Sequence, residues 1–298
     1  DINSAKTGIS AGSPVLDCDF HTHTGFSDDC DVSADVMLES AAAQGIKTLA
    51  VTDHYDPGYP DPEFPFQLDF EKYNEYMLKA REKYRGIMDI RIGMEVGIMA
   101  GQFEAANKAI NAFPYDIIMG SFHCNREKDL YTYDFTDVDG PAMLEDFYVY
   151  VYECLKEFDN YDVLSHFSIV DRYIGKLYDY TPLTDIIDAS LKLAVESGKG
   201  LEINTSSFKY GTGTWLPRES ILKRYRELGG EILTFGSDAH SPEHYRFHFN
   251  NAVEFAKSLG FRYYCRFSQR KPEFERDVFC RLADPPDDGL FVFKLRCL

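Results

Sequence analysis

The chain has 298 residues, 44% hydrophobic and 27% charged, and its formal net charge is −18. Such a composition excludes a disordered or low-complexity chain, and the length allows one large core or two small ones. The acidic balance disfavours nucleic-acid and anionic-membrane binding, and no apolar run approaches the roughly 20 residues of a membrane span. The seven cysteines contain no C-x-x-C pair; with no signal-peptide pattern, they point to a reduced, cytoplasmic protein.

Residues 1–14 are small and polar, lack periodicity, and read as a flexible arm or an expression leftover. From Val15 onward, short apolar runs alternate with stretches of helical period. The first half reads as strand Val15–Phe20, helix Ser33–Gln44, strand Thr48–Thr52, helix Phe70–Tyr84, strand Ile90–Glu95 and helix Gln102–Asn111. There follow strand Asp116–Gly120, helix Pro141–Phe158, strand Val163–Ser165, helix Leu183–Ser197 and strand Gly200–Ile203. Helix Pro217–Leu228 and strands Glu231–Phe235 and Arg262–Phe267 complete the series. Ser33 has the chemistry of an N-cap, Pro141 and Pro217 suit first turns, and Gly45 and Gly229-Gly230 suit helix stops. Seven or eight strand–helix units in about 250 residues imply a parallel sheet closed into a barrel. No linker splits the series, so residues 15–271 form one domain. Residues 272–298 lose the rhythm, and form either a tail packed on the barrel or a disordered one.

Six of the eight histidines fall at or just past the carboxyl end of an expected strand: His21, His23, His54, His123, His166 and His240. Glu95 and Asp238 share that location. In a parallel barrel these strand ends open on one mouth, where active sites are built. A lone strand-end histidine is most simply a hydrogen-bonded loop residue; six at one rim are not. In His21-x-His23 the period of an extended chain sends both rings to one side, and Asp238-x-His240 repeats the geometry. Imidazole with carboxylate suits Zn, Mn or Fe rather than Ca, and the absence of cysteine disfavours a thiolate structural site.

The ordered blocks DFHTHTGFSDD, LAVTDHYD, IGMEVG, GSFH, VLSHFSIVDRY, LEINTS and GGEILTFGSDAHSP resemble the PHP superfamily of metal-dependent phosphoesterases. Within it the chain looks most like the L-histidinol-phosphate phosphatases, through HFSIVDRY, LEINTSSF, GSDAHSP and the GFRYYCRFSQRKP ending. The resemblance implies an α/β fold, a distorted (β/α)7 TIM-like barrel, with three divalent metal ions at its mouth. It assigns His21, His23, Glu95 and Asp238 to the first ion, and Glu95, His123 and His166 to the second. His54 and His240 would hold the third together with Asp29, for which Asp28 is the alternative.

Phosphate-monoester hydrolysis needs a nucleophile at neutral pH and positive charge around the phosphoryl group. The expected nucleophile is a metal-bridging hydroxide held by Glu95, His123 and Asp238, attacking phosphorus in line. Arg172, six residues after His166, is placed to reach the phosphate with its bidentate fork; the simpler reading pairs it with Asp171. Asn204, Lys209 and Arg246 are further substrate-binding candidates, set against structural bonding for Asn204 and solvated charge for the other two. His244 and His248 are spaced like a helical pair on the surface or behind the ligands. YVYVYECL and FRYYCRF read as core packing.

The expected substrate is therefore a small phosphate monoester, L-histidinol phosphate in histidine biosynthesis. The alternative is another small phosphate: a nucleotide, a sugar phosphate or phosphotyrosine. A polymerase-associated nuclease of the same fold would want a basic strand path, which the net charge opposes. No G-x-G-x-x-G, P-loop or G-x-S-x-G pattern is present.

Overall fold

The computed structural model describes residues 16–276. The arm expected at residues 1–14 and the tail beyond residue 276 lie outside them. Among the described residues, seven parallel strands follow one another in chain order. They are β1 (Cys18–Asp19), β2 (Thr48–Val51), β4 (Asp89–Gly97), β5 (Ile117–Ser121), β8 (Val163–Leu164), β9 (Gly200–Asn204) and β10 (Leu233–Gly236). Each new strand lies beside the last, as successive crossover units require. A two-residue β3 (His54–Tyr55) pairs with the far end of β4, and β6 (Cys124–Asn125) with β7 (Lys128–Asp129) forms a short hairpin.

The two ends of the series meet through backbone bonds. Phe20 N–H donates to Phe235 O (3.1 Å), Asp238 N–H to His21 O (2.8 Å) and His23 N–H to Ala239 O (2.9 Å). The sheet is thus a nearly closed, distorted barrel, and its last closure lies at the carboxyl ends of β1 and β10.

The strands are buried because both faces are covered. TLAV of β2 and IIMGS of β5 are buried at every position, which is why they are continuous apolar runs rather than alternating ones. The outer helices are α1 (Ala34–Ala43), α2 (Phe70–Lys83), α3 (Phe103–Ile110), α4 (Gly140–Glu157), the one-turn α5 (Val170–Tyr173), α6 (Thr184–Glu196), α7 (Glu219–Glu227) and α8 (Phe249–Ser258). Ser33 caps α1 by accepting from Val36 N–H. In α4 the buried Phe147, Tyr148, Val151, Cys154 and Leu155 recur at helical spacing, so YVYVYECL is packing, as expected.

Two features depart from the expected series. Helix α8 was not among the expected elements: its first turn, FNN, lacks an N-cap signal, and His248 before it has φ 56°. The expected final strand exists as β11 (Tyr264–Ser268), but it pairs antiparallel with β12 (Lys271–Glu275) instead of joining the barrel. Among the described residues no helix is long and apolar enough to cross a membrane.

Candidate metal centre

Seven of the eight strand-end candidates gather about the eighth, the carboxylate of Glu95. Glu95, near the end of β4, is fully buried, and its two oxygens face different histidines. Oε2 lies 2.9 Å from His21 Nε2 and 3.3 Å from His23 Nε2. Oε1 lies 3.1 Å from His123 Nε2 and 2.8 Å from His166 Nε2. Asp238 Oδ1 is 3.3 Å from His23 Nε2, and 3.8 Å from His21 Nε2. A third group stands beside these: Asp29 Oδ2 is 3.1 Å from His240 Nε2 and 3.6 Å from His54 Nε2. The ring of His23 stacks on those of His54 (4.4 Å) and His240 (4.2 Å), tying the third group to the first.

Local backbone geometry aims two of these side chains. His166 (φ 24°) and Asp238 (φ 54°) both sit in the left-handed region, which is costly for residues other than glycine and concentrates at functional sites. The surroundings hold them there: His166 N–H donates to Glu202 Oε2 (2.9 Å), and Asp238 N–H to His21 O. The loop after β1 is held by Asp53, which accepts from Thr24 N–H (2.7 Å) and from the hydroxyls of Thr24 and Ser27.

The donor set fits a metal. His23 Nε2 and His54 Nδ1 are buried without a hydrogen-bond partner. Four sets of three donors lie within 4.8 Å of one another: His21, Glu95 and His166; His21, His23 and Asp238; His23, His54 and His240; His54, Asp56 and His123. Buried nitrogens left unpaired among carboxylates are costly unless a cation takes their lone pairs. The charges are mutually dependent. Burial would raise the Glu95 carboxyl, but His21, His54 and His123 hold it well below its ordinary range. Burial would lower His21, but Glu202, Glu95 and Asp238 push it well above. His166 is the exception, lowered chiefly by burial.

The cluster forms the floor of a cavity of about 720 Å³. Arg172, on α5, lines it; one guanidinium nitrogen donates to Ser206 Oγ and lies 3.2 Å from Asp238 Oδ2. Its partner is not Asp171, which Arg218 holds instead. Lys209 also lines the cavity, its ammonium donating to Asp238 O (3.2 Å).

Two expected substrate contacts are corrected. Arg246 does not line the cavity; its guanidinium donates to Gln44 O (2.7 Å) and Leu16 O (3.4 Å), across the end of α1. The turn after β10 that displays His240 sends Arg246 the other way. Asn204 is fully buried, donates to Glu202 Oε2 (3.1 Å) and accepts from Ser206 N–H (3.0 Å), so it braces the wall from behind. The His244–His248 pair is not helical either. His244 ends a one-turn helix (Pro242–His244) and lines the cavity, whereas His248 precedes α8. Asp28 turns its Oδ2 to Phe66 N–H (2.6 Å), leaving Asp29 to face the histidines.

The sequence reading missed Asp56, whose Oδ2 lies 2.5 Å from His123 Nδ1, and gave Glu202 no link to His21, although its Oε1 lies 2.7 Å from His21 Nδ1. For Asp56 a signal existed, since it stands two residues beyond His54 in TDHYD. Nothing local linked Glu202 to a histidine 181 positions away.

Comparison with known proteins gives the family and the fold. The PHP domain model matches residues 19–206, and the chain belongs to the PHP domain family. It is 29% identical over 255 residues to a probable histidinol-phosphatase of Clostridium acetobutylicum, covering 82% of this chain and 94% of that one. It is 26% identical over 260 residues to a histidinol-phosphatase of Lactococcus lactis, covering 85% and 95%. The fold matches a solved L. lactis histidinol phosphate phosphatase, complexed with zinc, L-histidinol and phosphate, with a TM-score of 0.78. That match has 24% identity and covers 86% of this chain and 98% of the other.

Proposed function

We propose that this protein is a metal-dependent phosphoric monoester hydrolase that converts L-histidinol phosphate to L-histidinol and phosphate, the reaction named in its relatives and used in histidine biosynthesis. The observation that carries the reading is the cluster of four overlapping donor sets around Glu95, open to a cavity with Arg172 and Lys209 on its wall.

In this reading His21, His23, Glu95 and Asp238 hold one divalent ion, and Glu95, His123 and His166 a second. Asp29, His54 and His240 hold a third. Zinc is supported by the L. lactis structure, and the N/O donor set also suits Mn or Fe. Bound ions of this kind supply a water-derived nucleophile at neutral pH and positive charge against the phosphoryl oxygens. The chain's own residues do the rest. Glu95 would join two positions because its oxygens face different histidines, Oε2 facing His21, His23 and His54 and Oε1 facing His123 and His166. Arg172 and Lys209 draw the phosphate dianion to the cavity, a local field that works against the overall charge of −18. Ser206 holds the Arg172 fork in place.

We read residues 15–271 as one PHP domain, with β12 carrying the folded unit a few positions further. The five described cysteines are all unpaired, which supports a reducing, cytoplasmic setting. The test is phosphate release by chelator-stripped and metal-reconstituted protein. L-histidinol phosphate should be turned over well above p-nitrophenyl phosphate at equal concentration, and only with metal. Equal rates on both substrates would defeat the substrate assignment, and activity in the stripped protein would defeat the metal assignment.

A further inference from the structure

Two histidines of the cluster are gripped from behind by carboxylates that the proposed reaction does not use. Glu202, on β9, is fully buried with both oxygens engaged: Oε1 lies 2.7 Å from His21 Nδ1, and Oε2 accepts from His166 N–H (2.9 Å) and Asn204 Nδ2 (3.1 Å). Asp56, just past β3, sets Oδ2 2.5 Å from His123 Nδ1. Its other oxygen is buried without a hydrogen bond, 3.7 Å from His54 Nδ1. Each carboxylate occupies space that a glycine leaves open. A methyl at Gly236 would fall inside the Glu202 carboxylate and against the His21 Cβ. A methyl at Gly97 would stand 2.5 Å from the Asp56 carboxyl carbon.

We propose that Glu202 and Asp56 are positioning residues that keep the ring proton of His21 and His123 on Nδ1, so that Nε2 of each offers its lone pair to a metal, with Gly236 and Gly97 as the openings that admit them. This rests on the metal-centre reading above. Each ring stands between two carboxylates, and a carboxylate only accepts; with an ion between Nε2 and Glu95, the one ring proton must stay on Nδ1, where Glu202 or Asp56 accepts it. At both rings Nε2 is the nitrogen on the Glu95 side, where the proposed ions would sit.

The two sites differ in a way that makes the proposal testable with isosteric changes. In Glu202→Gln, the new carbonyl must face two donors, His166 N–H and Asn204 Nδ2. Its amide NH2, which only donates, is then turned on His21 Nδ1, so Nδ1 must accept and the proton moves to Nε2, blocking coordination. In Asp56→Asn, the carbonyl stays on His123 Nδ1 and the amide replaces an oxygen that nothing donates to, so the tautomer survives. A role in packing alone would make both amides equally mild.

The experiment titrates the stripped full chain with zinc against a chromophoric chelator, and reads imidazole protonation at saturating zinc by long-range 15N–1H correlation. Wild type is expected to take up zinc with Nδ1–H at His21 and His123. Glu202→Gln should weaken zinc binding roughly 10–100-fold and move the His21 proton to Nε2, while Asp56→Asn stays within about threefold. Asp56→Ala, which leaves His123 without its acceptor, should lose roughly tenfold. Wild-type affinity and an Nδ1–H His21 in Glu202→Gln would overturn the proposal. If that variant fails to fold, equal affinities of Asp56→Ala and Asp56→Asn overturn it. A wild-type chain that takes up no zinc would overturn the metal centre and this proposal together.

Discussion

The two ends of the barrel use the same residue types to opposite effect. At the amino end, aspartates that precede strands are paired with arginines and backbone N–H groups. Asp116 accepts from Ile92 N–H (2.9 Å) and pairs with Arg81. Asp162 accepts from Ile118 N–H (2.8 Å) and from Arg270 Nε (3.0 Å), and Asp17 accepts from Arg266 (2.8 Å). The β11–β12 hairpin supplies Arg266 and Arg270 and plugs that end of the barrel. At the carboxyl end, His23 Nε2 and His54 Nδ1 stay buried and unpaired, and His166 and Asp238 hold left-handed backbone. Carboxylates paired with arginines stabilise the fold, whereas ring nitrogens left buried among carboxylates at the barrel mouth suit, when neutral, a bound cation.

Breaking the carboxyl-end cluster should have the largest effect. Glu95→Ala removes the carboxylate that the proposed reading shares between two ions, worth several kcal/mol of transition-state stabilisation, or about a thousandfold or more in rate. Phosphate release from L-histidinol phosphate, read beside zinc content, checks this. Chelation of the wild type should match that loss, and added zinc should reverse it. Next, Arg172→Ala is expected to cut kcat/KM by more than about tenfold with zinc content intact, because charge-assisted bonds to phosphate are lost. An unchanged kcat/KM would take Arg172 out of the site.

The amino end should answer differently. Arg270→Ala leaves the buried Asp162 carboxylate without its cation and is expected to lower unfolding free energy by about 1.5–3 kcal/mol. Urea denaturation measures this, and kcat/KM should stay within about twofold. A large catalytic loss there would erase the contrast between the two ends. The smallest effect belongs to Arg246→Ala. With its guanidinium on Gln44 O and Leu16 O, kcat/KM should stay at the wild-type value within error. A tenfold rise in KM would restore it to the substrate site.

Much of the centre was legible because the parallel-barrel pattern converts position in the chain into position in space. A histidine just past an apolar run must lie on the rim, so His21, His54, His123, His166 and His240 were found one at a time without any knowledge of their contacts. Arg172, just beyond His166, lines the cavity for the same reason of position. Arg246 and Asn204 were misread because the argument placed only their backbones. The Arg246 side chain is long enough to choose either direction, and Asn204 was claimed by Glu202 and Ser206 before it could reach the cavity. Helix α8 was missed for want of a capping residue. The strand at Arg262–Phe267 was recognised, but its pairing with β12 was not, since one apolar strand carries no mark of its partner.

The order of strands, the barrel they close into, and the chemical identity of the rim follow from the amino-acid order alone, because period and punctuation are local properties. Which ring nitrogen faces the centre, which aspartate of the Asp28–Asp29 pair turns inward, and which charges are spent on the barrel floor were decided only by tertiary structure. Those choices rest on contacts such as His21 with Glu202, 181 residues apart, where burial forces each donor to find an acceptor and packing determines which one lies within reach.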